Sequence, residues 1–240
     1  MCYNQKIRVL LIMSSVDEMG ISGKQSGTWF HELAAPYYLL TEAGFEVVFA
    51  TPAGGAAPID LLSMKPPFTT EYTERFLNDP IALFAAQNTR RLRNIDYSGF
   101  DAAFFPGGYG LLWDLASDSY TIKLIRDFYE SGRPIAMVCH APAILRDVKK
   151  SNGEYLVNGL KITGFKNDED RELKLLNHLL YSLEDELKRR GALYRCANNW
   201  EPYLVIDGAL MSGQSPASAV PLAKALCVHL KMNDTDRDAS

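Results

Sequence analysis

The sequence predicts an α/β protein built on a mainly parallel sheet with helices over both faces. Short, wholly apolar runs bounded by Gly, Pro or Asp recur along the 240 residues, and stretches of helical periodicity separate them. A strand buried on both faces reads as an unbroken apolar run, because neither face meets water. The composition, 47% hydrophobic and 22% charged, is that of an ordinary globular chain long enough for one large α/β domain or two small ones.

Arg8 to Ser14 reads as the first strand, and Val16 to Thr28, with three glycines, as the loop after it. Glu32 to Ala43 reads as a helix stopped by Gly44, with Pro36 acceptable only near its first turn. Phe45 to Thr51 is the second strand. Residues 52 to 73, rich in Pro, Gly and Ala, predict an irregular excursion, and Thr73 to Arg93 holds one or two helices, so that about 52–97 forms a small insertion after strand two. Asp101 to Phe105 is the next strand and runs into Pro106-Gly107-Gly108-Tyr109-Gly110; Ser117 to Ser131 is a helix. Pro134 to Val138 is a strand entering Cys139-His140-Ala141-Pro142 and a helix to about Lys149.

Beyond it, Tyr155 to Thr163 suggests a hairpin turning at Asn158-Gly159, and Asp168 to Arg190 an amphipathic helix. Leu204 to Ser212 reads as a second hairpin about Asp207-Gly208, and Pro216 to Leu230 as a closing helix. One domain over residues 1–231 is the economical reading, with a polar tail at 232–240 expected to be disordered.

The formal charge of −4 is dispersed, which leaves none of the basic footprint of a nucleic-acid binder. Ile7 to Met13 is too short to span a membrane, and no small-residue cleavage pattern follows it, so a cytoplasmic protein is expected. Cys2, Cys139, Cys196 and Cys227 are widely separated, without a Cys-x-x-Cys pair to suggest zinc or a dithiol centre. A chemically active cysteine here must act as a lone thiol.

Ligands of open α/β sheets collect beyond the carboxyl ends of the strands. Three segments put unusual residues there: the loop leading to Glu32, the Gly107-Gly108-Tyr109-Gly110 turn, and Cys139-His140. A sharp strand-to-helix turn lifts the Cys139 side chain out of the sheet, and a helix N-terminus favours its thiolate, the arrangement of a nucleophile elbow. His140 is the obvious base, although neighbours on a helix do not face each other, and it equally suits a backbone N–H at an oxyanion site. The glycine turn offers N–H groups at close approach. Glu32 lies among Trp29, Phe30, Leu33 and Pro36, surroundings apolar enough to raise its pKa toward neutrality. Taken singly, each fits a bland role as well: a core cysteine, a capping histidine, a loop glycine, a solvated glutamate.

Together, Ala136-Met137-Val138-Cys139-His140-Ala141-Pro142, Phe105-Pro106-Gly107-Gly108-Tyr109-Gly110, and Glu32 with Pro36 resemble the ThiJ/PfpI superfamily. Ile162-Thr163-Gly164-Phe165 and Asp207 to Ser218 are similar to its heat-shock-type glyoxalase III branch, and the likeness runs from about residue 7 to 231. The resemblance implies a flavodoxin-like three-layer sandwich and cofactor-free conversion of methylglyoxal, a 2-oxoaldehyde, to lactate. It makes Cys139 the nucleophile, Glu32 the acid/base partner, His140 an auxiliary residue and Gly108 an oxyanion donor, with Tyr109 and Ala141 beside the substrate. It needs no metal or organic cofactor. It also implies a homodimer, for which the sequence itself offers no signature.

Two positions depart from the family pattern: Ala141 follows Cys-His where glycine is usual, and Tyr109 stands where His is frequent. A glutamine amidotransferase would share the elbow, but its distant His-x-Glu is missing, since His178 and His229 precede Leu179-Leu180 and Leu230-Lys231. The rival readings are a stress-response holding chaperone, with Pro66-Pro67-Phe68 part of an apolar surface, and a redox sensor using Cys139. Protein deglycase and cysteine peptidase activities rank below these.

Overall fold

The computed structural model describes the backbone of residues 6–238 and the side chains of residues 6–233. β1 (Arg8–Ile12), β2 (Glu46–Thr51), β3 (Arg90–Arg91), β4 (Ala102–Phe105), β5 (Ile135–Val138), β8 (Leu204–Asp207) and β9 (Leu210–Gly213) form one sheet in the order β3-β2-β1-β4-β5-β9-β8. Every neighbour pair is parallel except the β8–β9 hairpin. Its central part has the doubly wound order of flavodoxin-like folds, with the connections reversing direction at β1. β6 (Lys161–Ile162) and β7 (Leu193–Tyr194) make a separate parallel pair.

Alternation along the strands explains the layers. Leu10, Ile12, Ala103, Phe105, Ile135 and Met137 face one core, closed by Leu124, Ile125 and Phe128 of α4 (Ser119–Glu130) and by Leu183 and Leu187 of α6 (Leu183–Arg189). Val9, Leu11, Ala102, Phe104, Ala136 and Val138 face the other, closed by α1 (Phe30–Glu42) and α7 (Ala219–Asp238). Phe76 of α2 (Glu71–Leu77) and Ala82 of α3 (Pro80–Gln87) extend that second core. Phe104 is fully buried, and truncating it to Ala costs about 3–5 kcal/mol.

Several elements differ from the sequence reading. The first helix begins at Phe30, so Pro36 sits inside it. Its missing N–H leaves the Glu32 carbonyl without the usual helical partner. No hairpin forms over Tyr155 to Thr163: the Gly159 N–H bonds the Gly191 carbonyl at 2.9 Å, so the Asn158-Gly159 turn docks on a distant segment and Lys161–Ile162 pairs with β7. The helix expected from Asp168 to Arg190 is two pieces, α5 (Asn167–Glu172) and α6. Lys174 adopts a left-handed φ of 58° that ends the first, and the Ser182 side chain caps the second by accepting the Asp185 N–H at 3.0 Å. After Cys139 and His140 the chain forms a 3₁₀-helix over Ala141–Asp147 rather than an α-helix. The closing helix runs on to Asp238, through most of the segment read as an unstructured tail.

No helix among the described residues is long and apolar enough to cross a membrane.

Candidate active site

β1, β4, β5 and β9 are parallel neighbours, and the segments leaving their carboxyl ends converge. Cys139 follows β5 with φ at 61°, a left-handed conformation that L-residues other than Gly, Asn and Asp seldom adopt. Backbone bonds hold it there: its N–H donates to the Gly213 carbonyl at 2.9 Å, and its carbonyl accepts the Phe165 N–H at 2.8 Å. The expected elbow is therefore present, and it is strained.

Gly107 and Gly108 must be glycine for different reasons. A Cβ on Gly107 would lie 2.7 Å from each of Cys139 Cβ, Glu32 Oε2 and the Val138 carbonyl. This residue is thus the spacer between the cysteine and the acid. Gly108 has φ at 118°, and a Cβ there would run into the Gly27 carbonyl. Gly108 lines the same cavity as Cys139.

Glu32 comes from the first turn of α1 and is fully buried. Its Oε2 accepts the Gly107 N–H at 2.7 Å, and Oε1 has no hydrogen-bond partner of conventional geometry in the protein. Burial pushes its pKa up to about 8, against smaller opposing effects from the Gly107 N–H and the Cys139 thiol. At neutral pH Glu32 holds its proton. Burial also raises the Cys139 thiol, with a Glu32 carboxylate as the next largest cause, while the His140 N–H opposes the rise. The expectation that a helix terminus would make this cysteine a ready thiolate is corrected here: desolvation outweighs a short 3₁₀ turn.

His140 is buried between the rings of Tyr109, 4.3 Å away between centroids, and Phe165, 4.5 Å away. Its Nδ1 stands 3.5 Å from the Cys139 sulfur, and its Nε2 lies 3.2 Å from the Asp170 carboxylate. With Nε2–H donated to Asp170, Nδ1 is left as an acceptor facing the thiol. The Tyr109 hydroxyl donates to the same carboxylate at 2.9 Å. Tyr109 thereby buttresses His140, a role its ring alone does not suggest. Ala141 packs in the first core, where its methyl is accommodated.

Asp170 escaped the sequence reading. It sits in Asn167-Asp168-Glu169-Asp170, a run with the look of a solvated helix face, and no periodicity distinguishes it from Asp168, which is exposed. Glu169 beside it is also buried, accepting N–H groups from Lys166 and Trp200 and the side-chain amide of Gln214. Phe68, read as part of an exposed patch, turns its ring edge-on to Trp29 at 5.1 Å. His178 is exposed, and His31 is half-buried with Nδ1 at 2.9 Å from the Thr70 hydroxyl; Cys2 lies outside the described residues.

Cys139 and His140 open into a cavity of about 180 Å³ lined by Trp29, Phe68, Tyr109, Phe165, Leu173 and Trp200 among others. No Lys or Arg is among the residues lining it; Glu32 is not among them either and sits against Cys139 and Gly107. Among the described residues, no group of three or more His, Cys, Asp or Glu side chains is arranged to hold a metal ion. A small neutral electrophile suits this space.

A model of the DJ-1/PfpI family matches residues 26–228. Glyoxalase 3 of Candida albicans is 27% identical over 236 residues, covering 95% of this chain and all of that protein. The glutathione-independent glyoxalase HSP31 of Saccharomyces cerevisiae is 29% identical, covering 88% of this chain and 93% of that protein. Among solved structures, Rapid Encystment Protein 24 kDa of Francisella tularensis superposes with a TM-score of 0.88 at 32% identity, over 92% of this chain and 97% of that one. Glyoxalase III of Candida albicans superposes at 0.85 with 26% identity, over 92% and 96%.

Proposed function

This chain belongs to the DJ-1/PfpI family, and from that premise we propose that it is a glutathione-independent glyoxalase converting 2-oxoaldehydes such as methylglyoxal to 2-hydroxy acids such as lactate. The observation that carries the reading is a strained, cavity-facing Cys139 with a protonated, buried Glu32 across Gly107 and an accepting His140 nitrogen beside it.

His140 Nδ1 takes the thiol proton as the sulfur adds to the aldehyde carbon. A C–S bond forms, the carbonyl π pair moves to oxygen, and backbone N–H groups at the elbow and Gly108 hold the alkoxide, which is then protonated to the hemithioacetal. A proton leaves the carbon bearing sulfur to give an enediol, and a proton returns to the adjacent carbon, so that the hemithioacetal becomes a thioester. Glu32 gives its proton to the alkoxide, and the carboxylate so formed takes the proton from the carbon bearing sulfur and delivers it to the adjacent carbon, while His140 returns the thiol proton to the enediolate oxygen; a pKa near 8 suits Glu32 to both roles near neutral pH. Water cleaves the thioester, releasing lactate and restoring the thiol. The sum is methylglyoxal plus water to lactate, with no net oxidation and no demand for a cofactor. Protection against reactive aldehydes in the cytoplasm is the setting this chemistry fits.

The test is lactate formation from methylglyoxal without glutathione by the wild type, Cys139→Ala and Glu32→Gln. Turnover is expected only in the wild type. Equal inactivity of all three, with suppressed aggregation of an unfolded client, would instead identify a holding chaperone.

A further inference from the structure

We infer that the Ser215 hydroxyl is a second substrate anchor, donating a hydrogen bond to the carbonyl oxygen adjacent to the aldehyde carbon that Cys139 attacks. The site then selects vicinal dicarbonyls over simple aldehydes. This deepens the glyoxalase reading and rests on it.

Topology puts the residue in place. β9 runs parallel to β5 with Gly213 paired to Val138, and Gly213 accepts the Cys139 N–H. Gln214 and Ser215 therefore leave the sheet beside Cys139 and His140. Ser215 is fully buried yet lines the cavity those two residues share.

Ser215 is the N-cap of the 3₁₀ turn Pro216–Ser218, its side-chain oxygen turned toward the Ser218 N–H, and its O–H has no acceptor in the protein. The polar groups around it are engaged elsewhere. The Gln214 amide is committed to Ala197, Glu169 and Asn198, and the Ser218 hydroxyl donates to the Tyr203 carbonyl while accepting the Tyr203 and Ser215 backbone N–H groups. The Ser218 N–H bonds the Ser215 carbonyl at 2.8 Å. A buried hydroxyl without an acceptor is costly, and such groups in folded proteins generally await a ligand or a water.

The rest of the wall says which ligand. Trp29, Phe68, Phe165, Leu173, Pro216 and Ala217 offer apolar surface, and no Lys or Arg accompanies them to favour a carboxylate. A lone neutral donor in such a wall matches a neutral carbonyl oxygen. Two anchors, a C–S bond at one carbon and a hydrogen bond at the neighbouring oxygen, would hold the two carbons between which the proton must move.

The test uses iodoacetamide modification of Cys139, read at that residue by mass spectrometry because Cys196 is exposed. In the wild type, methylglyoxal is expected to protect Cys139 at a concentration more than tenfold below that of propanal, the hydroxyl adding about tenfold to the difference set by the activated carbonyl. In Ser215→Ala the advantage of methylglyoxal over propanal should shrink about tenfold, to the intrinsic difference set by its activated carbonyl, and KM for methylglyoxal should rise about tenfold with kcat changed less. Circular dichroism supplies the structural control: loss of the cap should leave the variant folded at the assay temperature, with the melting temperature lowered by a few degrees at most. An unchanged ratio between the two aldehydes, or an equal loss of protection by both, would overturn the inference. Failure of the glyoxalase reading looks different: no lactate from the wild type, with discrimination by Cys139 intact.

Discussion

The Cys139 sulfur stands 3.5 Å from Nδ1 of His140, its neighbour in the chain, a contact that regular helix geometry denies to consecutive residues. The left-handed φ of Cys139 makes it possible. Holding that conformation costs about 1–2 kcal/mol for a residue with a Cβ. Cys139→Gly is therefore expected to be more stable to urea than Cys139→Ala by about 1 kcal/mol, although both abolish turnover. At an unstrained strand end the order would reverse, so a more stable alanine variant would remove the strain argument.

Asp170 fixes the His140 ring from its far side, at 3.2 Å from Nε2. Asp170→Asn can present its amide to Nε2 and so favour the tautomer with the proton on Nδ1, which can no longer accept from the thiol. Lactate formation should fall about 100-fold in kcat with KM little changed. Tyr109→Phe removes one donor from the same carboxylate but leaves the ring contact, and its loss should stay within about tenfold. Were Tyr109→Phe the more damaging of the two, the tyrosine would be acting on substrate rather than through Asp170.

How much of this is legible in the sequence follows from what each feature leaves in the local pattern. The buried strands and the glycines of the turn announce themselves, because apolar runs and positive φ constrain residue type locally. The Cys139–Glu32 pairing is readable only through the shared strand ends and the family likeness. Asp170 and Ser215 leave no such trace: each is a common polar residue whose burial is decided by segments distant in sequence. The failed hairpin at Asn158-Gly159 has the same origin: a turn forms there, with the Leu160 N–H on the Val157 carbonyl, but only Gly159 takes the positive φ that a hairpin turn needs at both positions, and its N–H bonds Gly191, far along the chain.

Glu32 ties stability to pH. Its folded pKa of about 8 exceeds the ordinary value of 4.5, so the folded state holds the proton more tightly. The stabilisation is complete below about pH 4.5 and is lost as pH rises through about 8. The loss is on the order of 5 kcal/mol by pH 9. Glu32→Gln has nothing to ionise and should become more stable than the wild type in alkaline solution, with the two converging near pH 5. Urea denaturation at pH 5, 7 and 9 measures the divergence; parallel profiles would show that the carboxyl is not buried in a protonated form.

Trp200 lines the cavity into which Cys139 opens. It adopts a φ of 65°, its N–H bonds Glu169 at 2.8 Å, its indole N–H bonds Glu172 at 2.6 Å, and its ring meets Phe165 edge-on at 5.6 Å. The indole is thus a fixed wall at the mouth of the cavity, with 41% of the residue exposed. A methyl group reaches little of that wall, whereas an aryl group can lie against it. Phenylglyoxal is accordingly expected to be turned over with a lower KM than methylglyoxal. Trp200→Ala should raise the phenylglyoxal KM about tenfold while changing that for methylglyoxal less than about threefold. Equal changes for both aldehydes would mean that the indole supports the fold of the rim and does not touch the substrate.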